Sequence, residues 1–210
     1  MDASPASTDR QWFIVGRWQE YEGESRANLL RIVAIAAFYV VELINRYGLD
    51  LGFIEVPRIR DAPFHHAVTA LAVAWTMAAL GVLLSLRLQF FPTSLKFVST
   101  ACDVMFLTAI LTVADGPRSP LVLGYLLVIA LATLRLQLPL LWFATAGSMA
   151  GYVFLLGHAK WFREATRVPR YHQLIVLLAV LLTGVMLGQV VRRVRWIAED
   201  YANRLEASRG

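Results

Sequence analysis

The feature that most constrains the fold is one long run of uncharged residues near the end of the chain. His172 to Val191 reads HQLIVLLAVLLTGVMLGQVV and contains no Asp, Glu, Lys or Arg. A helix of that length spans roughly 30 Å, the thickness of the hydrocarbon core of a bilayer. The charged sequence RRVRWIAEDYANRLEASRG follows, without proline and without glycine before its last residue. We therefore predict one continuous helix that crosses a membrane and extends into water.

The rest of the chain repeats this apolar character. Hydrophobic residues make up 58% of the sequence and charged residues 17%, which argues against a soluble domain. We predict an all-α integral membrane bundle of six transmembrane helices. The predicted parts are an interfacial N-terminal segment at 1–27, a membrane domain at 28–191 and a signalling helix at 192–210. The predicted spans are about 28–47, 65–86, 95–114, 121–134, 140–158 and 172–191.

The charges suggest how the chain sits in the membrane. The N-terminus lacks a basic region followed by an apolar core, so no cleaved signal peptide is expected. The motif Arg192-Arg193-x-Arg195 directly follows the last span and favours the cytoplasmic side. With six spans, both termini would then lie in the cytoplasm of a bacterium, with the protein in its inner membrane. The net charge of +5 is spread over loops and ends, so we expect lipid headgroups and not nucleic acid as its partner.

A seam with alternating steps of four and three residues runs along the last helix. This heptad spacing keeps one helix face against a partner. Gly184 and Gly188 form a small-xxx-small pair that allows close approach of two helices in lipid. We predict a parallel homodimer that continues as a short coiled coil towards a covalently linked output domain beyond Gly210. The alternative is a helix that packs only on its own bundle. The seam consists of Val180, Gly184, Leu187, Val191, Val194, Ala198, Tyr201 and Leu205.

Asp103 is an ionisable residue inside the third span, where such groups are costly and tend to be paired or functional. Arg135 lies at a similar depth on the next helix, and a long Arg side chain can reach across the difference. We predict a structural Asp103–Arg135 pair, with a proton-relay or ligand role for Asp103 as the alternative. Arg31 and Glu42 lie near the ends of the first span and are assigned no role.

The four histidines fall at one predicted membrane face. Three helix ends that carry imidazoles there suggest a transition-metal site formed by His65, His66, His158 and His172. Haem ligation by His66 and His172 is a second hypothesis. A pH-sensitive cluster and ordinary interfacial histidines are the alternatives. No nucleophile–base set, phosphate-binding loop or paired carboxylates occur in a catalytic pattern, so we expect no catalytic site.

The segment between the third and fourth spans resembles a known family. Asp103 is followed after eleven residues by Asp115-Gly116-Pro117-Arg118-Ser119-Pro120-Leu121. This resembles the six-helix membrane domains that precede histidine kinase or class III nucleotide cyclase outputs in bacterial signalling proteins. In those domains an Asp in the third helix precedes a tGGxxSP or GGxxNPF-like turn, which in redox-responsive kinases is associated with quinone. Asp115, Ser119 and Leu121 stand here where the family has Gly, Asn and Phe.

Three functions follow as expectations. The first is a membrane receptor or sensor that relays a signal through its sixth helix to a cytoplasmic kinase or nucleotide cyclase; the resemblance adds quinone as one ligand of the turn. The second is a haem- or metal-binding module of the cytochrome type that uses the histidines. The third is a small transporter, which the scarcity of acidic residues in the spans and the absence of an interrupted span both disfavour.

Overall fold

The structure is a computed structural model that describes residues 5–50, 55–56, 62–88, 92 and 94–207, with side chains described mainly between residues 21 and 201. Within these ranges the chain forms six α-helices and one minimal β-pairing, in which Leu49–Asp50 runs antiparallel to Glu55–Val56. The helices are α1 (Pro5–Tyr47), α2 (Ala62–Arg87), α3 (Leu95–Val113), α4 (Gly124–Thr133), α5 (Leu138–Trp161) and α6 (Arg170–Ala207).

Five of the six helices are long and apolar enough to cross a membrane. Their apolar parts are Tyr21–Tyr47, Pro63–Arg87, Leu95–Val113, Leu138–Trp161 and Arg170–Tyr201. The remaining apolar segment, Pro120–Thr133, is shorter and begins with a 3₁₀ turn, Pro120–Leu123, that leads into α4. The predicted all-helical membrane bundle is thus confirmed at the level of an apolar helical architecture compatible with a multi-pass membrane protein.

The predicted interfacial segment and the first span are joined in one helix. α1 runs without interruption from Pro5 to Tyr47, and its apolar part begins at Tyr21. It ends at Gly48, whose φ of 77° is a left-handed conformation that favours glycine and so stops the helix. The first four residues of the chain lie outside the described ranges.

Side-chain contacts join neighbouring helices, and those between α1 and α2 also show the relative direction of the two axes. In α1 and α2, the Asn28 side chain donates to the Ala79 carbonyl at 3.0 Å, and the Tyr39 and Thr69 hydroxyls are 3.1 Å apart, which requires antiparallel axes. A polar contact between α3 and α4 joins the Thr108 and Tyr125 hydroxyls at 2.8 Å. α5 packs on both α3 and α6. Side-chain packing and buried hydrogen bonds of this kind are what hold helices together in lipid.

The apolar core lies among α3, α4, α5 and α6, so α1 and α2 pack beside it. Because lipid tails are themselves apolar, close packing stabilises this core more than transfer out of water does. Its most buried members include Leu107, Leu111, Tyr125, Ile129, Leu140, Leu141, Tyr152, Leu155, Val180 and Val191.

The membrane half of the predicted dimer seam faces the protein's own bundle. Val180 and Val191 are 1% and 0% exposed, and Gly184 and Gly188 are also buried. A Cβ added at Gly184 would lie 2.5 Å from Thr145 Oγ1 on α5, so this glycine permits an intramolecular contact. The assignment of this half of the seam to a dimer interface is therefore wrong, because the small residues serve packing within one chain.

The second half of the seam is exposed. Val194 and Tyr201 are 41% and 66% exposed, and Ala198 is also on the surface. Leu187 is half-buried, and the side chain of Leu205 lies outside the described residues. α6 itself continues to Ala207, as predicted for an unbroken helix.

Candidate functional site

A cavity of about 220 Å³ lies between α1, α2, α3 and the turn that follows α3. We call the end of the bundle that contains it the turn end. Most of its lining is apolar, with Trp75 from α2 and Leu107 from α3 among its walls. Polar residues also line it, among them Glu42, Asn45, Asp115 and Ser119. An apolar cavity with a few convergent polar groups is the usual form of a small-molecule site.

The turn beside the cavity is held in a defined conformation. Gly116 has a φ of 58°, a conformation that disfavours other residues. Ser119 caps the following 3₁₀ turn, because its hydroxyl accepts a hydrogen bond from the Leu121 amide at 3.3 Å. Arg163 also ties the end of α3 to the loop before α6 by donating to the Ala114 carbonyl at 3.0 Å. The resemblance motif therefore forms one wall of the cavity.

A buried ion pair lies next to the cavity, deeper in the bundle. Arg31 Nε is 2.7 Å from Asp103 Oδ1, and Arg31 Nη2 donates to Asp103 Oδ2 at 2.9 Å. Both side chains are at least 96% buried. Trp75, a wall of the cavity, donates its indole N–H to Asp103 Oδ1 at 2.9 Å. Trp75 thus connects the cavity directly to the charged pair.

Asn28 completes this first network. Its side-chain oxygen accepts from Arg31 Nη1 at 2.6 Å, while its nitrogen donates to the Ala79 carbonyl on α2. The guanidinium is therefore bound on two sides, and α1, α2 and α3 are joined by hydrogen bonds through Arg31 and Asp103. A bidentate Arg–carboxylate pair has a fixed geometry, so it positions three helices relative to one another.

A second buried network lies further from the cavity. Arg135, in the link between α4 and α5, is 2.6 Å from Glu24 Oε1 on α1. It also donates to Thr100 Oγ1 at 2.7 Å and to Ser99 Oγ at 3.0 Å, both on α3. Burial lowers the pKa of the Arg135 guanidinium, and the Glu24 carboxylate opposes that shift. This network joins α1, α3 and the α4–α5 link.

The predicted direct pair between Asp103 and Arg135 is wrong. Asp103 binds Arg31, and Arg135 binds Glu24. The depth argument was nearly right, since Arg135 contacts Thr100, one helical turn from Asp103. It failed because it compared only helices adjacent in the sequence, whereas side chains of α1 supply both opposite charges, Arg31 to Asp103 and Glu24 to Arg135.

The polar face of α1 is the feature that sequence reasoning missed. Glu24, Asn28 and Arg31 are separated by steps of four and three, so they lie on one helix face. All three are buried. Polar residues at core spacing inside an apolar helix are a recognisable signal of a buried network. The signal was overlooked because the residues were placed near the membrane interface.

The four histidines do not form the predicted metal site. Over the part of the chain that the structure describes, no three His, Cys, Asp or Glu side chains are grouped so that they could bind a metal ion. His65 and His66 are neighbours with ring centroids 6.1 Å apart, whereas His158 stacks between Phe154 and Phe162. The haem hypothesis for His66 and His172 stays a prediction.

His65 instead faces Glu42 at the turn end. Its Nδ1 is 3.6 Å from Glu42 Oε1, beyond a good hydrogen bond, and both side chains are largely buried. The rings of Tyr39 and Tyr47 surround His65 at centroid distances of 6.5 and 6.3 Å. Glu42 and Tyr39 therefore lie beside both His65 and the cavity.

Comparison of the chain with protein-family models, with curated proteins and with solved structures finds no match.

Proposed function

We propose that this chain is the membrane receptor of a signalling protein and that the cavity at the turn end binds a small lipophilic ligand. The observation that carries the proposal is the cavity wall formed by Trp75, because that side chain is hydrogen-bonded to the buried Asp103. A ligand that displaces Trp75 disturbs the Arg31–Asp103 pair, so binding acts on the contacts that position α1, α2 and α3.

The second network offers a route from that pair to α6. Glu24 lies about two helical turns before Arg31 on α1 and binds Arg135 of the α4–α5 link, and a groove lined by Val194 and Ala198 of α6 lies beside Arg135. A change in the spacing of α1 and α3 is thereby transmitted to the α4–α5 link and to α6. Signalling by this route needs two packings of the bundle and a ligand that prefers one of them.

The proposal includes six membrane crossings in a bacterial inner membrane, with both ends in the cytoplasm and α6 leading to a kinase or nucleotide cyclase. Homodimerisation is retained as part of it, through the second half of the seam. Support for that half comes from the exposure of Val194 and Tyr201, since exposed apolar residues at heptad spacing are free to pair with a second copy.

The test fills the cavity with a larger side chain and measures the distance between α1 and α6. Ala72 lines the cavity, and Ala72→Phe occupies part of it without any ligand. Arg26 on α1 and Ile197 on α6 are exposed, so each is replaced by a spin-labelled cysteine, with Cys102 replaced by Ser. Double electron–electron resonance in nanodiscs then reports the distance between the two helices. Ala72→Phe is expected to shift the distance distribution.

The matched control is Leu84→Phe, which adds an aromatic ring on the exposed face of α2. It is expected to leave the distribution unchanged. If Ala72→Phe folds and gives the same distances as the control, the cavity is not coupled to α6 and the proposed relay is wrong.

A further inference from the structure

Two buried polar atoms face each other beside the cavity without satisfying each other. Among the described residues, neither Glu42 Oε1 nor His65 Nδ1 has a hydrogen-bond partner. They are 3.6 Å apart, and the Glu42 side chain is only 10% exposed. A buried carboxylate oxygen without a donor is costly, so this site has an unused capacity to accept a hydrogen bond.

The chemistry of the polar lining sets which ligand fits. Glu42 and Asp115 contribute carboxylates, and the indole N–H of Trp75 already donates to Asp103. An ionised carboxylate only accepts hydrogen bonds. A ligand whose head only accepts, such as a ketone or a quinone, gains no hydrogen bond from Glu42 or Asp115 and can accept only from amide or hydroxyl groups of the lining, such as those of Asn45 and Ser119. A hydroxyl or an ammonium head can donate to the Glu42 carboxylate.

The apolar lining sets the rest of the ligand. Phe38, Phe64, Val68 and Leu107 are among the walls, and the volume of about 220 Å³ suits one compact molecule rather than a long lipid chain. The polar residues lie at one end of this space. The site therefore matches an apolar body with a single polar head.

We infer that the cavity selects lipophilic molecules whose head donates a hydrogen bond, an alcohol or an amine, and that Glu42 is the residue that selects them. This inference rests on the proposed function and specifies the ligand class of the same cavity.

The experiment uses three probes that share one carbon skeleton: menthol, menthylamine and menthone. Their binding to the full chain is measured by titration calorimetry in phosphatidylcholine nanodiscs, with empty nanodiscs as the blank. Because the extra hydrogen bond goes to a charged group in a buried site, menthol or menthylamine is expected to bind at least about tenfold more tightly than menthone. The tighter of the two donors tells which head the site takes.

Glu42→Gln gives a sharper result, because the side-chain amide keeps the shape and adds a donor. This variant is expected to lose the preference for menthol and menthylamine and to gain affinity for menthone. A variant that fails to fold does not remove the test, since the three probes on the unaltered protein already decide the question.

The outcomes separate the two proposals. Equal binding of all three probes, abolished by Ala72→Phe, overturns the selection by Glu42 and leaves the cavity as a ligand site. Binding that Ala72→Phe leaves unchanged, or no binding above the blank, overturns the selection and removes the support for the cavity as a receptor site.

Discussion

Breaking the Arg31–Asp103 pair is the perturbation that most directly tests how α1, α2 and α3 are held together. Asp103→Leu leaves the Arg31 guanidinium buried, with Asn28 Oδ1 as its remaining acceptor among the described residues. It also removes the acceptor of the Trp75 indole N–H. Arg31→Met leaves the Asp103 carboxylate with Trp75 as its described donor.

The size of the effect follows from this geometry. Removing one partner of a buried ion pair costs about 3–5 kcal/mol, because the remaining charge has no compensating partner. Replacing both partners by apolar residues of similar volume is often neutral. We therefore expect each single variant to lower the free energy of unfolding by about 3 kcal/mol or more, and the double variant Arg31→Met/Asp103→Leu to recover most of the loss.

The assay is unfolding in mixed micelles, in which the fraction of dodecyl sulfate is raised and helical circular dichroism is followed. A double-mutant cycle over Arg31 and Asp103 isolates their coupling free energy. A second cycle over Asp103 and Arg135, which do not form a direct hydrogen bond, is expected to give about 1 kcal/mol or less. A loss below about 1 kcal/mol in Asp103→Leu, or a larger coupling in the second cycle, would refute the assigned pairing.

Two further predictions concern packing and the second network. Gly184→Ala places a Cβ 2.5 Å from Thr145 Oγ1, so we expect the free energy of unfolding to fall by about 1–3 kcal/mol in the same assay. The Cβ of Gly188→Ala has its nearest neighbour at 3.6 Å, so this variant is expected to lose less. Equal losses would mean that α6 does not pack on α5 as described. Arg135→Lys keeps the charge but loses the planar guanidinium, which binds Glu24 and the α3 hydroxyls at the same time. We therefore expect faster amide hydrogen exchange in the link at 134–137. Unchanged exchange there would show that the charge alone holds the link.

Periodicity and length made the helical membrane architecture predictable, but the contacts of each face less so. The run from His172 to Val191 was recognisable because nothing but a membrane accommodates it easily. The seam on the same helix was equally visible, yet at Gly184 it packs on α5 of the same chain. A repeat predicts that a face has a partner, but it does not show what that partner is, and only the membrane half of this face is buried within the chain.

The candidate site was predictable in one part only. The motif from Asp115 to Leu121 pointed to the turn that borders the cavity. Trp75, which connects the cavity to the ion pair, gave no signal, because a tryptophan within an apolar span has no distinctive spacing. The partners of Asp103 and Arg135 were also hidden, since both come from α1, far away in the sequence. Long-range pairing between helices is a tertiary property that spacing along the chain does not contain.

The short apolar segment Pro120–Thr133 has a consequence for the membrane around the protein. At α-helical rise it measures about 21 Å, less than the roughly 30 Å of a typical hydrocarbon core. Part of it faces outward, because Leu123 and Leu127 are exposed. If this segment crosses the membrane, the bilayer beside it must thin or polar flanking groups must enter the hydrocarbon, which is hydrophobic mismatch. The free energy of the bundle's packing therefore depends on the thickness of the host bilayer. A thinner membrane favours the packing described above even when no ligand is bound.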